Sequence, residues 1–96
     1  MPKPPRPSPA DLTDSWPNTP SLDPAGETAR LLAVNLRRSI GMASVRSVAD
    51  DAGLDEGTIR NLLSGARWSD VRTIARLEDA LGVALWPVYA ERGGLW

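Results

Sequence analysis

An all-α fold, a compact bundle of about five helices preceded by a proline-rich arm, is what this sequence predicts, on three observations. Apolar residues recur at three- and four-residue spacing in successive stretches after residue 23. Capping residues open these stretches and glycines close them. Nowhere does the chain alternate with the two-residue period of a half-buried strand, and it carries no repeat of solenoid length.

The arm comes first. Eight of the nine prolines (positions 2, 4, 5, 7, 9, 17, 20 and 24) lie within the first 24 residues, where they remove backbone donors and fix φ. Residues 1–22 therefore read as a disordered arm, residues 23–92 as the folded domain and residues 93–96 as an apolar tail. Two readings of the arm stand: a solvated tail, or an arm that touches DNA or a partner through Lys3 and Arg6. Trp16 is unusual in a pure tail, and packs either onto the domain or onto a second copy.

Helix one follows Asp23-Pro24, an N-cap with proline in the first turn, and runs through Ala29, Leu32, Ala33, Leu36 and Ile40 to Gly41. Arg30, Arg37 and Arg38 fall off its apolar stripe, as a solvated basic face or one that meets phosphate. Ser44 caps a second, short helix with Val45, Val48, Ala49 and Ala52 leading to Gly53. Asp55 caps a third, in which Ile59, Leu62 and Leu63 point inward before Gly65. Ser69 is expected to cap a fourth, with Val71, Ile74, Ala75, Leu77 and Leu81 in amphipathic register and Gly82 at its end. A last turn or short helix is expected after Pro87, using Val88 and Tyr89.

At 96 residues one domain is expected, and with five aromatics and no Phe its core must rest on Leu, Val, Ile and Ala. The absence of Cys and His removes disulfides, thiolate nucleophiles, thiolate zinc sites and the commonest general base. Carboxylate chemistry alone needs a substrate cleft that so small a helical domain rarely builds, so the chain is read as no enzyme, with no cofactor and no metal. No apolar run has the length of a membrane span or a signal peptide, and a cytoplasmic protein is expected. The net charge of −1 argues against indiscriminate polyanion binding. It leaves specific binding open, because ten of the eleven cations are Arg, the side chain suited to bidentate phosphate and guanine contacts.

Two short helices joined by a glycine turn have a known mechanical use, in which the first crosses the DNA backbone and the second enters the major groove. Any helical hairpin also suits this spacing, so on spacing alone a purely structural bundle stands beside DNA binding. The segment SVRSVADDAGLDEGTIRNLLSGARWSDVRTIARLEDALGV resembles the lambda-repressor/Cro (XRE-type) helix-turn-helix family. Ser44, Val48, Ala49, Gly53, Leu54, Thr58, Ile59, Gly65, Leu77, Leu81, Gly82 and Val83 match its pattern. With Leu32, Leu36 and Arg37 the resemblance covers roughly residues 30–90.

The resemblance implies that Glu56, Gly57, Thr58, Arg60 and Asn61 face base edges from the recognition helix. Asn61 has the amide for adenine, and Arg60 the fork for guanine or a phosphate. Glu56 accepts from cytosine or serves the helix N-terminus, and the capping reading is preferred beside Asp55. Phosphate contacts are expected from Arg37, Ser44, Arg46, Ser64, Arg67 and Ser69, helped by helix N-termini that attract anions without net charge. The serines also read simply as caps. Two departures from the family pattern matter. Val45 stands where relatives often have Gln, and Leu63 where they often have a Glu paired with the helix-one Arg, which leaves Arg37 freer to meet phosphate.

One recognition helix covers half of an operator, so a homodimer is expected, assembled through Leu85, Trp86, Val88, Tyr89, Leu95 and Trp96 unless some of these cover the domain's own core. The expected function is transcription regulation in the cytoplasm. It takes the form of a repressor that binds double-stranded DNA at an inverted repeat, of phage Cro, immunity or antitoxin type, the last engaging a toxin or other protein through its arm. The competing class is a helical protein-interaction module that has lost DNA binding.

Overall fold

A computed structural model describes residues 6–88. Among them there are four α-helices, one 3-10 turn and no strand. The turn, η1, is Pro9–Leu12, and the helices are α1 (Pro24–Ile40), α2 (Val45–Ala52), α3 (Glu56–Ser64) and α4 (Val71–Leu81). The all-helical expectation holds. The turn or helix expected after Pro87 falls largely outside the described residues, which end at Val88, and Pro87 and Val88 themselves are not helical.

Local chemistry sets each helix. The Asp23 carboxylate accepts from the Gly26 N–H at 2.8 Å, Pro24 begins α1, and Gly41 ends it. Ser44 Oγ accepts from the Ser47 N–H at 3.0 Å, and Gly53 closes α2 in the left-handed region at φ 67°. The cap of α4 is Asp70 rather than the expected Ser69: Asp70 Oδ1 accepts from the Thr73 N–H at 2.7 Å. That bond holds the Asp70 carboxyl below its ordinary pKa. Two capping residues stand side by side there, and only the one a residue nearer the helix reaches its third N–H.

The helices close over one core. Leu36, Ile59, Ile74, Leu77 and Leu85 are fully buried, joined by Leu32, Ala33, Ile40, Val48, Ala49, Ala52, Leu62 and Leu63. Each large aliphatic side chain taken from water contributes about 1.5–3 kcal/mol. α1 packs on η1 and α3, while α2 packs on α3 and α4, so α3 lies between α1 and α2.

Residues 6–22 do not form the disordered arm the proline content predicts. Glu27, buried on α1, receives the Ser21 N–H at 2.9 Å and a two-pronged Arg30 guanidinium at 2.7 and 2.6 Å. Arg30 also donates to the Pro17 carbonyl at 3.1 Å, so it belongs to this knot rather than to a solvated basic face. Farther back the Trp16 indole N–H donates to the Leu63 carbonyl at 2.9 Å, and Trp16 packs on the core of its own chain. The prolines that forbid a helix also leave the unfolded segment less entropy to lose, so a few buried contacts suffice to fix it. Lys3 lies outside the described residues, and Arg6 is exposed.

Leu85, expected in a dimer interface, is instead a core residue of its own chain with no exposure. Glu78 Oε2 accepts from the Leu85 and Trp86 N–H groups at 2.6 and 3.3 Å, and Asn35 donates to the Leu85 carbonyl at 2.9 Å. A leucine following a helix-ending glycine fills the end of the bundle once its backbone groups have such partners.

Candidate functional site

Gly53 and Leu54 make the turn between α2 and α3. Gly53 N–H donates to Asp50 O at 3.3 Å and Leu54 N–H to Ala49 O at 2.9 Å, which satisfies the last carbonyls of α2 while Leu54 packs on the core. α3 then seats Ile59, Leu62 and Leu63 inward. Helical periodicity leaves Gly57, Arg60 and Ser64 exposed, with Glu56, Thr58 and Asn61 half-buried at the margins. The five residues expected to face bases thus share the part of α3 that its core residues do not occupy.

Glu56 does not act as the cap that sequence reasoning preferred. Its carboxylate reaches forward one turn to Arg60, 3.2 Å away, and Asp55 makes no side-chain cap bond either. Such an exposed pair contributes about 0.3–0.5 kcal/mol and breaks readily when a better partner approaches either group.

Two concavities flank α3. One, of about 280 Å³, is lined by Arg37, Val45, Arg60, Leu63 and Ser64, and has no carboxylate among its lining residues. It joins two expected phosphate contacts, Arg37 and Ser64, to Arg60. Leu63 is its apolar wall, and Arg37 forms no ion pair with any described residue. The other, of about 100 Å³, is lined by Thr58, Asn61, Leu62, Arg67, Trp68, Ser69, Asp70 and Thr73. There Asn61 and Thr58 meet the expected loop contacts Arg67 and Ser69, although the Asp70 carboxylate sits among them. Arg46 and Ser44 line neither hollow: Arg46 is exposed on the first turn of α2, and Ser44 is its cap.

Trp68, whose indole N–H donates to the Pro7 carbonyl at 2.9 Å, also borders an apolar groove of about 310 Å³ with Trp86, Pro9, Ala29 and Leu32. Trp86 and Val88 of the expected dimer set are exposed, at 44% and 58%. Tyr89, Leu95 and Trp96 fall outside the described residues. Sequence reasoning did not single out Glu27, Asn35 or Glu78, whose polar atoms are tied to backbone groups outside their own helix, six, 50 and seven residues away.

Among the described residues no group of Asp, Glu, Cys or His could hold a metal ion, and no helix is long and apolar enough to cross a membrane. Comparison with protein-family models, with curated proteins and with solved structures returns no match.

Proposed function

We propose that this protein is a sequence-reading DNA-binding regulator, a repressor that uses α3 as a recognition helix of the lambda-repressor/Cro type and binds an inverted repeat as a dimer. One observation carries the reading: α2, a glycine turn and α3 leave Gly57, Thr58, Arg60 and Asn61 off the core, next to a hollow lined by Arg37, Arg60 and Ser64 without a carboxylate. On this reading Asn61 and Arg60 read base edges, with Glu56 released from Arg60 to accept from a cytosine amine or stay in solvent. Arg37, Arg46, Arg67, Ser64, Ser69 and the Ser44-capped start of α2 hold phosphates, and fix register without reading sequence. Contacts of this kind need placement rather than a basic chain, which is compatible with a net charge of −1.

A second reading, a helical protein-interaction module, is favoured by the apolar groove between Trp68 and Trp86. Selection from a randomised duplex pool separates the two. Wild-type protein is expected to enrich an inverted repeat that the Arg60→Ala, Asn61→Ala double variant fails to select. If no sequence is enriched even at low salt, DNA reading is refuted and the interaction module takes its place.

A further inference from the structure

We propose that Trp16 is a positioning residue of the DNA interface: touching no ligand itself, it clamps the C-terminus of α3 and the loop to α4, so that Arg67 and Ser69 are held beside Asn61. The inference rests on the DNA-binding reading of α3 and adds to it an element remote in sequence.

Three hydrogen bonds, each 2.9 Å, join the proline-rich segment to this corner. The Trp16 indole N–H donates to Leu63 O, the Ala10 N–H to Gly65 O, and the Trp68 indole N–H to Pro7 O. Leu63 lies in the last turn of α3, where carbonyls have no partner within the helix. Asn61 O and Leu62 O are satisfied by the amides of Gly65 and Ala66. Trp16 completes the cap by taking Leu63 O. Its ring also lies flush on Gly65, where a Cβ would come within 2.6 Å of Cε2 and 2.7 Å of Cδ2.

The clamp is anchored at its other end. Ser21 and Pro17 are bonded to Glu27 and Arg30 of α1, and the Ser21 hydroxyl donates to Leu12 O at 2.6 Å. A Cβ at Gly26 would lie 2.7 Å from Ser21 Oγ and 3.1 Å from Leu12 Cβ, so this segment approaches α1 as closely as Trp16 approaches Gly65. Residues 65–70 connect α3 to α4, and Arg67 and Ser69 make no side-chain hydrogen bond to any described residue. Their placement beside Asn61 in the shared hollow therefore depends on what holds the backbone: the segment carrying Pro7, Ala10 and Trp16 on one side and the Asp70 cap on the other.

The test uses full-length Trp16→Phe and Trp16→Ala, with Leu85→Ala as a control that loses stability without touching any of the three clamp bonds, since the backbone partners of Leu85 are Asn35 and Glu78. Backbone order of residues 65–69 is measured by NMR relaxation without DNA. Affinity for the duplex selected by the wild type is measured at fixed salt. In Trp16→Ala the order parameters of residues 65–69 are expected to fall from about 0.85 toward about 0.6, while those of α2 and its turn stay rigid. Affinity is expected to fall about tenfold across all sequences, with the preferred half-site unchanged, as phosphate contacts are loosened and base contacts kept. Trp16→Phe, which keeps a ring on Gly65 but loses the N–H donor, should lie between, and it decides the matter if Trp16→Ala does not fold. Leu85→Ala should change neither loop order nor affinity below its melting temperature. The proposal is overturned if residues 65–69 keep wild-type order in both Trp16 variants, or if they loosen with no loss of affinity. Wild-type protein that selects no duplex refutes the DNA reading and with it the purpose of the clamp, while the loop measurement still decides whether the clamp exists.

Discussion

Glu27 shows how much one side chain can hold in a small helical protein. It is 7% exposed, and its carboxylate takes two prongs of Arg30 and the Ser21 amide, with none of its buried oxygens left unpaired. The Arg30 hydrogen bonds hold the Glu27 carboxyl below its ordinary pKa, against burial, which acts the other way, and Ser21 adds to the lowering. The paired carboxylate raises the Arg30 pKa in turn. A folded-state pKa below the unfolded one means that the unfolded chain binds more protons in between, so stability rises with pH there. The contribution is complete above the ordinary glutamate value of about 4.3, and is lost as pH falls through the lower, folded value. Glu27→Gln should cost about 3 kcal/mol at pH 7, because it leaves the Arg30 charge half-buried without its partner. Urea unfolding of both proteins from pH 7 to pH 2 should show that gap narrowing below pH 4. The exposed Asp11 and Asp70 carboxyls, also lowered, are common to both chains and cancel in the comparison. A gap that stays constant to pH 2 would show that the ion pair does not form.

The elements differ in how far their own sequence specifies them. α1 to α4 are legible because caps, apolar periodicity and terminal glycines all act within a few residues: Asp23 to Gly41, Ser44 to Gly53, Asp55 to Gly65, and the stretch before Gly82. The same local logic misplaces the α4 cap by one residue, since Ser69 and Asp70 are equally good caps until the helix register is known. Segments held by remote partners are not legible. Trp16 bonds a carbonyl 47 residues away, Asn35 one 50 away, and Trp68 one 61 away, and no window of sequence contains both members of such pairs. For the site, periodicity separates the outer residues of α3 from Ile59, Leu62 and Leu63. The four-residue spacing of Glu56 and Arg60 is that of an ion pair on a helix face, whereas nothing in the segment after Gly82 decides between core and interface for Leu85. The segment after α4 allows a direct check. Leu85→Ala should lower stability by about 2–5 kcal/mol by opening a cavity in the core. Because that core belongs to one chain, denaturation at two protein concentrations tenfold apart should show the same loss. A loss that shrinks as concentration rises would return Leu85 to an interface between copies.

For the molecule as a whole, the proposed DNA binding raises the question of how a chain with 11 cations and 12 carboxylates would hold a polyanion. Several carboxylates are used internally: Glu27 neutralises Arg30, Glu78 holds the Leu85 and Trp86 amides, and Asp23 and Asp70 cap α1 and α4 with their charges set against those helices' N-termini. Asp50, Asp51 and Asp79 line a hollow with Arg76, and none of the three lines the Arg37–Arg60 hollow. Arg37, Arg46 and Arg67 have no ion-pair partner among the described residues. If these three meet phosphates, each releases a condensed counterion, and log affinity should fall with log salt at a slope of about −2.7 per protomer, or about −5.4 for a dimer on an inverted repeat. Arg46→Gln should make the dimer slope shallower by about 1.8 and weaken all duplexes alike. Arg60→Ala should cost about 1–3 kcal/mol and relax the choice of base at one position of each half-site. Titrations of the selected duplex between 50 and 300 mM salt measure both effects. A slope near zero would mean that the unpaired arginines do not reach the backbone. A slope near −2.7 that keeps its sequence preference would mean that one protomer reads a half-site alone, with the exposed Trp86 and Val88 contributing no pairing of copies on DNA.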